Sequence, residues 1–518
     1  MPHEVRAAVR LVLAVSAAVG IAITATPLAS GPARAAQVPG APGALDVRAV
    51  RAFVEREMER SGIPGLALGV VEGDRVVDLA GFGRADDTGR PVTPSTPFLL
   101  ASISKPFTAT AVMQLVEAGR VDLDTPVRRY LPEFRMADAT AERITVRHLL
   151  QHTSGIPTTS CDSRVDAATI EQYVAELRTV PVTAEPGSRH AYCSGNYNVL
   201  GRLIEVVSGE PYGAYLQRRV FEPLDMRNTY ASADDARRPE AARGHRWLFG
   251  LVQARDQRYD AAQVPSGFLG ASAEDVTHFL VAQQNGGRYQ GRTLLSAAGI
   301  AAMQAPGVPA GRPGTSYGLG WKHASIGGVR TVQHSGDNPY FHGLVLMEPT
   351  SRRAAVILVN GNGALPLAAA FPSMEAGVVR LLAGQQPEPS SGPGLRRLYV
   401  IVDAVLVVVL AVALVPLLRL PRWRRGLAVA HRAGRRRTVR TSVRAAVEIA
   451  LPVLVLAGVR FLLHLLGAQS WAEGLSLFPD VGAWLWVVCL VVLVTGVLRV
   501  VAAVTVSPAP RDRQTGRP

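Results

Sequence analysis

The chain has 518 residues and a formal net charge of +14. Its length allows one large domain with additional segments, because single hydrophobic cores stop growing near 300 residues. Residues 396–518 hold 17 arginines and five acidic residues, so +12 of the +14 lies there and the rest of the chain is almost neutral. This distribution excludes a basic patch for DNA or RNA. The three cysteines are too few for a disulfide scaffold.

Residues 1–36 have the pattern of a secretory signal peptide. Arg6 and Arg10 precede an apolar stretch, and the small-residue pattern Ala33-Arg34-Ala35 follows it. The alternative is an anchor helix that is not cleaved. In both cases the residues that follow are exported, and we expect them outside the cytoplasm.

Residues 45–384 alternate between helical and strand patterns and form the predicted catalytic domain. Apolar residues recur at helical spacing over 46–61, and a second, more apolar helix is predicted over 107–118. Four strands are predicted, at 66–71, 75–79, 343–347 and 354–360. This order indicates an α/β domain in which helices flank an antiparallel sheet, with an all-helical region in the middle of the chain.

A Pro-, Gly- and Ser-rich linker at 385–397 separates this domain from three apolar runs. The runs cover 398–418, 445–466 and 482–504, and each approaches the roughly 20 residues that cross ~30 Å of hydrocarbon. Between the first two, residues 419–444 contain ten arginines and no acidic residue, which is typical of a cytoplasmic loop.

We therefore predict three transmembrane helices, with the catalytic domain outside and residues 505–518 as a cytoplasmic tail. The protein would be a multi-pass protein of the plasma membrane with the lipid bilayer as a partner. Whether the helices also bind a protein is left open.

Ser102 and Lys105 form an S-x-x-K element at the start of the predicted apolar helix. At i and i+3 on a helix their side chains share a face, so the amine can serve as base for the hydroxyl. Lys105 and Lys322 are the only lysines beside 53 arginines. A lysine retained under that bias fits a group that must lose its proton, which arginine cannot do. Lys322 is retained under the same bias, and we assign it no catalytic role.

Several segments, taken together with this serine, resemble the class C beta-lactamase and penicillin-binding-protein-like serine hydrolases. They are FLLASISK at 98–105, GRVDLDTPV at 119–127, ITVRHLLQHTSGIP at 144–157, YGLGW at 317–321 and HSG at 334–336. The resemblance runs in order from about residue 50 to 360. It implies a beta-lactamase/transpeptidase-like fold and acyl transfer to Ser102, as in beta-lactamases, D-alanyl-D-alanine carboxypeptidases and related esterases.

The resemblance also implies roles for residues outside the S-x-x-K element. Tyr192 corresponds to the tyrosine of a Tyr-x-Asn motif that moves the proton with the lysine, and Ser194 stands where that motif has asparagine. His334 and Gly336 correspond to the third motif, and the backbone amides of Ser102 and Asp337 would form the oxyanion hole. Because His334 replaces a lysine that would hold a substrate carboxylate, we expect less true beta-lactamase activity.

Cys161 and Cys193 are the only cysteines able to pair, because Cys489 lies in an apolar run. The alternative is two free buried thiols. By the resemblance both lie beside the active site, with Cys193 next to Tyr192.

No residues with zinc-ligand spacing and no phosphate-binding glycine loop occur, so neither a metal nor a cofactor is predicted. The sequence thus predicts a hydrolase for a small-molecule or peptide substrate, such as a cell-wall D-amino-acid peptide or a small ester. The alternative is a catalytically weak penicillin-binding-like sensor or binding module. A transporter with an extracellular lid is disfavoured by its having only three spans.

Overall fold

The computed structural model describes residues 44–158, 167–389, 394–432, 450, 456–457 and 479–505. The predicted signal peptide, Cys161, most of the apolar run 445–466 and the tail beyond residue 505 lie outside these residues.

The α-helices are α1 Val47–Ser61, α2 Ser104–Glu117, α3 Val146–Leu150, α4 Ile170–Glu176, α5 Gly195–Ser208, α6 Tyr212–Leu216, α7 Ala233–Ala236, α8 Ala273–Gln284, α9 Ala297–Met303, α10 Phe371–Leu382, α11 Leu395–Leu418, α12 Leu420–Arg432 and α13 Pro479–Thr505. The strands are β1 Gly65–Glu72, β2 Arg75–Gly83, β3 Phe98–Leu99, β4 Gly244–Leu248, β5 Leu251–Arg255, β6 Gly270–Ala271, β7 Arg288–Tyr289, β8 Arg292–Thr293, β9 Val308–Pro309, β10 Ser316–Tyr317, β11 Lys322–Ile326, β12 Val329–Asn338, β13 Phe341–Glu348 and β14 Arg353–Val359. Shorter helical turns include Ala101–Ile103, Val264–Phe268 and Pro366–Ala370.

Eight strands form one antiparallel sheet in the order β2-β1-β14-β13-β12-β11-β10-β9. The four predicted strands are confirmed as β1, β2, β13 and β14, and they lie together on one side of the sheet. The predicted helix 46–61 is α1, whose N-terminus is capped by the Asp46 carboxylate accepting from Ala49 N at 3.0 Å. The α/β class with an antiparallel sheet is confirmed.

Helices cover both faces of the sheet, which explains why β1 is buried along almost its whole length. Side chains of α1 and α10, among them Phe53 and Met374, form one core with alternate residues of β1 and β14. The other residues of these strands join a larger core with Phe107 of α2 and Phe279 of α8. This second core continues into the helical region of α3 to α6, so α2 lies at the centre of the domain.

Two helices in the described residues, α11 with its continuation to Val429 and α13, are long and apolar enough to cross a membrane. They confirm the helical character of the runs 398–418 and 482–504, whereas most of the third run lies outside the described residues. The predicted linker 385–397 ends early, because residues 395–397 already belong to α11. Residues 420–432 of the predicted cytoplasmic loop 419–444 form α12, and the cytoplasmic location of this connection stays a prediction. Arginine, leucine and alanine dominate this stretch and favour helix, whatever its charge.

The two long helices run parallel. Trp484 near the start of α13 donates its indole N–H to Leu406 O of α11 at 2.6 Å. Towards the other end, the Arg499 guanidinium lies 5.6 Å from the ring centre of Trp423 in α12. Leu395 and Tyr399, in the first turns of α11, pack on Trp247 of β4. Both helices therefore begin at the catalytic domain.

Candidate active site

Ser102 lies in the turn Ala101–Ile103, which leads directly into α2. Ala101 has a φ of 48°, a left-handed conformation that is unfavourable for a residue with a side chain. The turn is held by Ser104 Oγ, which donates to Ala101 O at 2.7 Å and accepts from Leu269 N at 3.2 Å. The strained nucleophile turn is thus fixed by contacts on both sides.

Gly336 of β12 passes close behind this turn. A Cβ atom at this position would lie 2.2 Å from Leu100 O and 3.2 Å from Ile103 N. Only glycine allows the strand to approach the nucleophile turn so closely.

Lys105 is completely buried, and its Nζ lies 3.0 Å from Ser102 Oγ. The structure thus brings together the two residues of the S-x-x-K element. Nζ also lies 2.7 Å from Ser266 O, a contact that sequence reasoning missed. The Val264–Phe268 turn presents this carbonyl, and Thr108 of α2 holds the turn by donating its Oγ1–H to Pro265 O at 2.6 Å.

The second motif lies on the other side of Lys105. Ser194 Oγ is 3.4 Å from Lys105 Nζ, and the centre of the Tyr192 ring is 5.0 Å from the same atom. Tyr192 is 37% exposed, so its side chain is accessible to solvent. The structure therefore brings Tyr192 and Ser194 to the base predicted for Ser102.

His152 contacts this motif through its ring and its Nδ1 atom. Its Nδ1 accepts from Cys193 N at 3.2 Å and lies 3.0 Å from Asn196 Nδ2, while its ring lies 4.2 Å from the ring of Tyr192. Ser154 Oγ in turn donates to Asn196 Oδ1 at 2.6 Å. Burial lowers the pKa of His152 well below its ordinary value, so the ring is neutral.

Cys193 forms a disulfide, whereas Cys489 is free. The alternative of a free thiol is therefore wrong for Cys193. Cys161, its predicted partner, lies outside the described residues.

His334 of the third motif points to the same side of β12 as Gly336. Its Nδ1–H donates to Ser335 O at 2.7 Å, so Nε2 is the acceptor for the Tyr317 hydroxyl at 2.8 Å. Burial lowers the pKa of His334 to about 3, and the charged form of Lys105 acts in the same direction. The ring is therefore neutral at physiological pH. The sequence signals Tyr317 only as part of the YGLGW segment, and sequence reasoning missed its contact with His334.

Asp337 follows Gly336, and its side chain lies on the opposite face of the sheet. Its Oδ1 is 2.7 Å from Nδ1 of the buried His342, and His342 Nε2 is 2.9 Å from Glu375 Oε1 of α10. Burial opposes the charge on His342, but the two carboxylates outweigh it and raise the pKa of His342 to about 10. Sequence reasoning named only the Asp337 backbone amide, and no motif signalled His342 or Glu375.

Asn362 connects the end of β12 to the start of β13 by hydrogen bonds. Its Nδ2 lies 3.3 Å from Asp337 Oδ1 and donates to Asn338 O at 2.8 Å and Phe341 O at 3.2 Å. The strand end that carries the Asp337 amide is therefore fixed from the face opposite Ser102.

Comparisons with known proteins agree with this geometry. The beta-lactamase family model matches residues 50–374. Penicillin-binding protein 4 of Amycolatopsis lactamdurans is 32% identical over 314 residues, which cover 58% of this chain and 81% of that protein. Other curated relatives are matched over 62% of their own length, so the chain spans less than two thirds of them.

Two solved structures extend the comparison. The octameric penicillin-binding protein homologue from Pyrococcus abyssi aligns with a TM-score of 0.58 and 27% identity, over 67% of this chain and 79% of that chain. The D-amino acid amidase from Ochrobactrum anthropi SV3, complexed with L-phenylalanine amide, aligns with a TM-score of 0.56 and 25% identity, over 65% of this chain and 97% of that chain. The chain therefore belongs to the beta-lactamase family of serine hydrolases.

Proposed function

We propose that the protein is a membrane-anchored, extracytoplasmic hydrolase that cleaves amides or esters through an acyl-enzyme on Ser102. The observation that carries this proposal is the completely buried Lys105 amine, 3.0 Å from Ser102 Oγ. Burial in a protein interior disfavours the charged form of an amine, and a neutral amine is the base that a serine nucleophile requires.

Lys105 Nζ lies within hydrogen-bond distance of Ser102 Oγ, Ser194 Oγ and Ser266 O. In the neutral amine that this function requires, two N–H groups would donate to Ser266 O and Ser194 Oγ, and the lone pair would accept the Ser102 O–H. As Ser102 Oγ attacks the substrate carbonyl, its proton passes to Lys105. The backbone amides of Ser102 and Asp337 would stabilise the oxyanion that forms.

The leaving amine or alcohol then takes that proton, directly from Lys105 or through the hydroxyl of Tyr192, whose ring centre is 5.0 Å from Lys105 Nζ. The acyl group stays on Ser102 until a water molecule attacks it. Lys105 accepts one proton from this water, Ser102 recovers its hydroxyl hydrogen, and the acid leaves. In this proposal Tyr192 would serve both half-reactions.

The third motif favours substrates without a carboxylate next to the scissile bond. A lysine there would supply a permanent cation, whereas the neutral His334 only accepts a hydrogen bond from Tyr317. Small esters and D-amino-acid amides or peptides with a blocked carboxyl end fit this site better than free peptide acids or beta-lactams. The similarity to a D-amino acid amidase supports the same substrate class.

The membrane anchor is supported by the surfaces of α11 and α13. Both helices leave large aliphatic side chains exposed, and a lipid bilayer would cover them. These side chains include Val400, Ile401, Val407, Val408, Val487, Leu490 and Val501. Because the two helices run parallel and both begin at the catalytic domain, their direction supports a third span between them in the sequence.

Covalent labelling of the full-length protein with a fluorophosphonate or a fluorescent penicillin tests the proposal. Ser102→Ala removes the nucleophile from a turn that its neighbours hold, so we expect a folded protein without labelling or turnover. Ser325→Ala, at an exposed serine of β11, is the matched control and should label like the wild type. Undiminished labelling of Ser102→Ala would refute the assignment. A wild-type protein that neither labels nor turns over esters and amides would favour the binding-module alternative.

A further inference from the structure

The hairpin of β4 and β5 ends in an unusual turn. Leu248 pairs with Leu251, so the turn has only two residues, Phe249 and Gly250, with φ values of 50° and 70°. Such a turn favours asparagine or glycine at both positions, because other side chains are strained in the left-handed region. The local structure therefore gives no reason for a phenylalanine at position 249.

The tip of this hairpin, residues 248–251, presents apolar side chains to the outside. Phe249 is 45% exposed and Leu251 is 68% exposed, whereas Trp247 is buried against Leu395 and Tyr399. Exposed apolar side chains that sit side by side on a strained turn point to a binding surface rather than to a folding role.

The hairpin tip lies where the two long helices begin. The Phe249 backbone N–H interacts with the Asp480 carboxylate in the first turn of α13. A Cβ atom on Gly250 would lie 3.2 Å from Tyr399 Cβ in the second turn of α11. These contacts hold Phe249 and Leu251 at the level at which the proposed membrane helices enter the bilayer.

We propose that the hairpin tip inserts Phe249 and Leu251 into the outer leaflet of the bilayer, as a membrane contact additional to the helices. The proposal rests on the membrane anchor of the proposed function. The bilayer is the expected occupant because the exposed tip contacts the first turns of α11 and α13, the helices that this proposal places in the bilayer. Aromatic side chains are favoured at this boundary, and insertion by about 5–10 Å would cover a two-residue tip.

The base of the hairpin links this contact to the catalytic domain. His245 N donates to Tyr340 O at 3.3 Å, and Asn362 N donates to His245 O at 3.1 Å. Asn362 is the residue that fixes the strand end carrying Asp337. Insertion of the tip would therefore set the orientation of the active site relative to the membrane surface.

Site-directed spin labelling of the full-length protein tests this proposal. Nitroxides are attached to Phe249→Cys and Leu251→Cys in a Cys489→Ala background, in vesicles of phosphatidylcholine and phosphatidylglycerol. Collisions with oxygen report the bilayer, and collisions with a water-soluble nickel chelate report water. We expect several-fold lower nickel accessibility at 249 and 251 than at Val206→Cys, a similarly exposed position of α5.

Two further labels separate the possible outcomes. Val408→Cys, in the middle of α11, reports whether the anchor itself lies in lipid. If 408 lies in lipid while 249 and 251 are as accessible to nickel as 206, the hairpin proposal is overturned and the anchor stands. If 408 is in water, both are overturned. Gln253→Cys lies two residues closer to the hairpin base, so its nitroxide should be more accessible to nickel than the one at 251. This difference checks that the labelled hairpins keep their fold.

Discussion

At the scale of single residues, Lys105 differs from the other lysine and arginine side chains of the described residues in its complete burial, and it lies against Ser102. Lys105→Arg replaces the proposed neutral base with a guanidinium that stays charged and does not lose its proton. We expect kcat/KM for an ester substrate to fall by about 10²- to 10⁴-fold, the usual contribution of a general base.

Lys322→Arg is the matched control for this substitution, because it changes the only other lysine, at the end of β11. It should retain near-native turnover. Near-native turnover of Lys105→Arg as well would contradict the role of Lys105 as base.

His342 is a second decisive residue, because it is buried between Asp337 and Glu375. Its pKa is raised from 6.5 to about 10 in the folded protein. The folded state therefore retains a proton that the unfolded state releases above pH 6.5. The resulting stabilisation is fully present below pH 6.5 and is lost as the pH rises through about 10.

His342→Gln should abolish this alkaline loss of stability, because glutamine keeps hydrogen-bonding groups but carries no charge. At pH 7 the variant should be less stable by about 3–5 kcal/mol, the typical cost of removing one partner of a buried ion pair. Thermal unfolding in detergent between pH 6 and 10 measures both effects. His323→Gln is the control, since burial lowers the pKa of His323 and it titrates only on the acid side. An unchanged alkaline slope in His342→Gln would contradict the charged state assigned to His342.

At the scale of elements, the site depends on the approach of β12 to the nucleophile turn. Gly336→Ala would place a methyl group 2.2 Å from Leu100 O, so either the strand or the turn must move. We expect a loss of stability of about 1–3 kcal/mol from overpacking, and a larger relative loss of kcat/KM because Ser102 and the Asp337 amide lie on the two displaced elements.

Gly267→Ala provides the comparison for this variant. It lies in the turn that presents Ser266 O, and its added methyl group would come no closer than 3.9 Å to Ala101 C. Activity and melting temperature of both variants should be measured together. Equal behaviour of the two would show that the close approach at Gly336 is not required.

At the scale of the whole molecule, the charge distribution and the parallel helices predict one orientation. The catalytic domain should lie outside, and the arginine-rich segment after α11 should lie in the cytoplasm. Protease added to intact cells should therefore digest the catalytic domain. A reporter enzyme that works only in the cytoplasm should be active when it is fused after Arg432, and one that works only outside the cytoplasm should be inactive there. Digestion of the domain only after the cells are permeabilised would reverse the orientation.

Local patterns in the sequence determined a large part of the architecture. The spacing of Ser102 and Lys105, the capped helix α1 and the strands β1, β2, β13 and β14 depend on neighbours in the chain, so periodicity and residue type suffice to predict them. The charge of residues 420–432 predicted their side of the membrane and not their secondary structure, because an arginine-rich segment is equally compatible with helix and with irregular chain. The resemblance to a known family supplied Tyr192, Ser194, His334 and Gly336, which no local pattern connects to Ser102.

Only the tertiary structure decided the environment of these groups. The Ser266 carbonyl that holds Lys105 has no residue-type signal, since every residue carries a backbone carbonyl. His334 and His342 are eight positions apart on neighbouring strands, yet one is neutral and the other charged. Their difference comes from burial and from carboxylates that the fold brings to one histidine and not to the other. Similarly, Phe249 meets Asp480 because the hairpin and the start of α13 lie at the same edge of the folded domain.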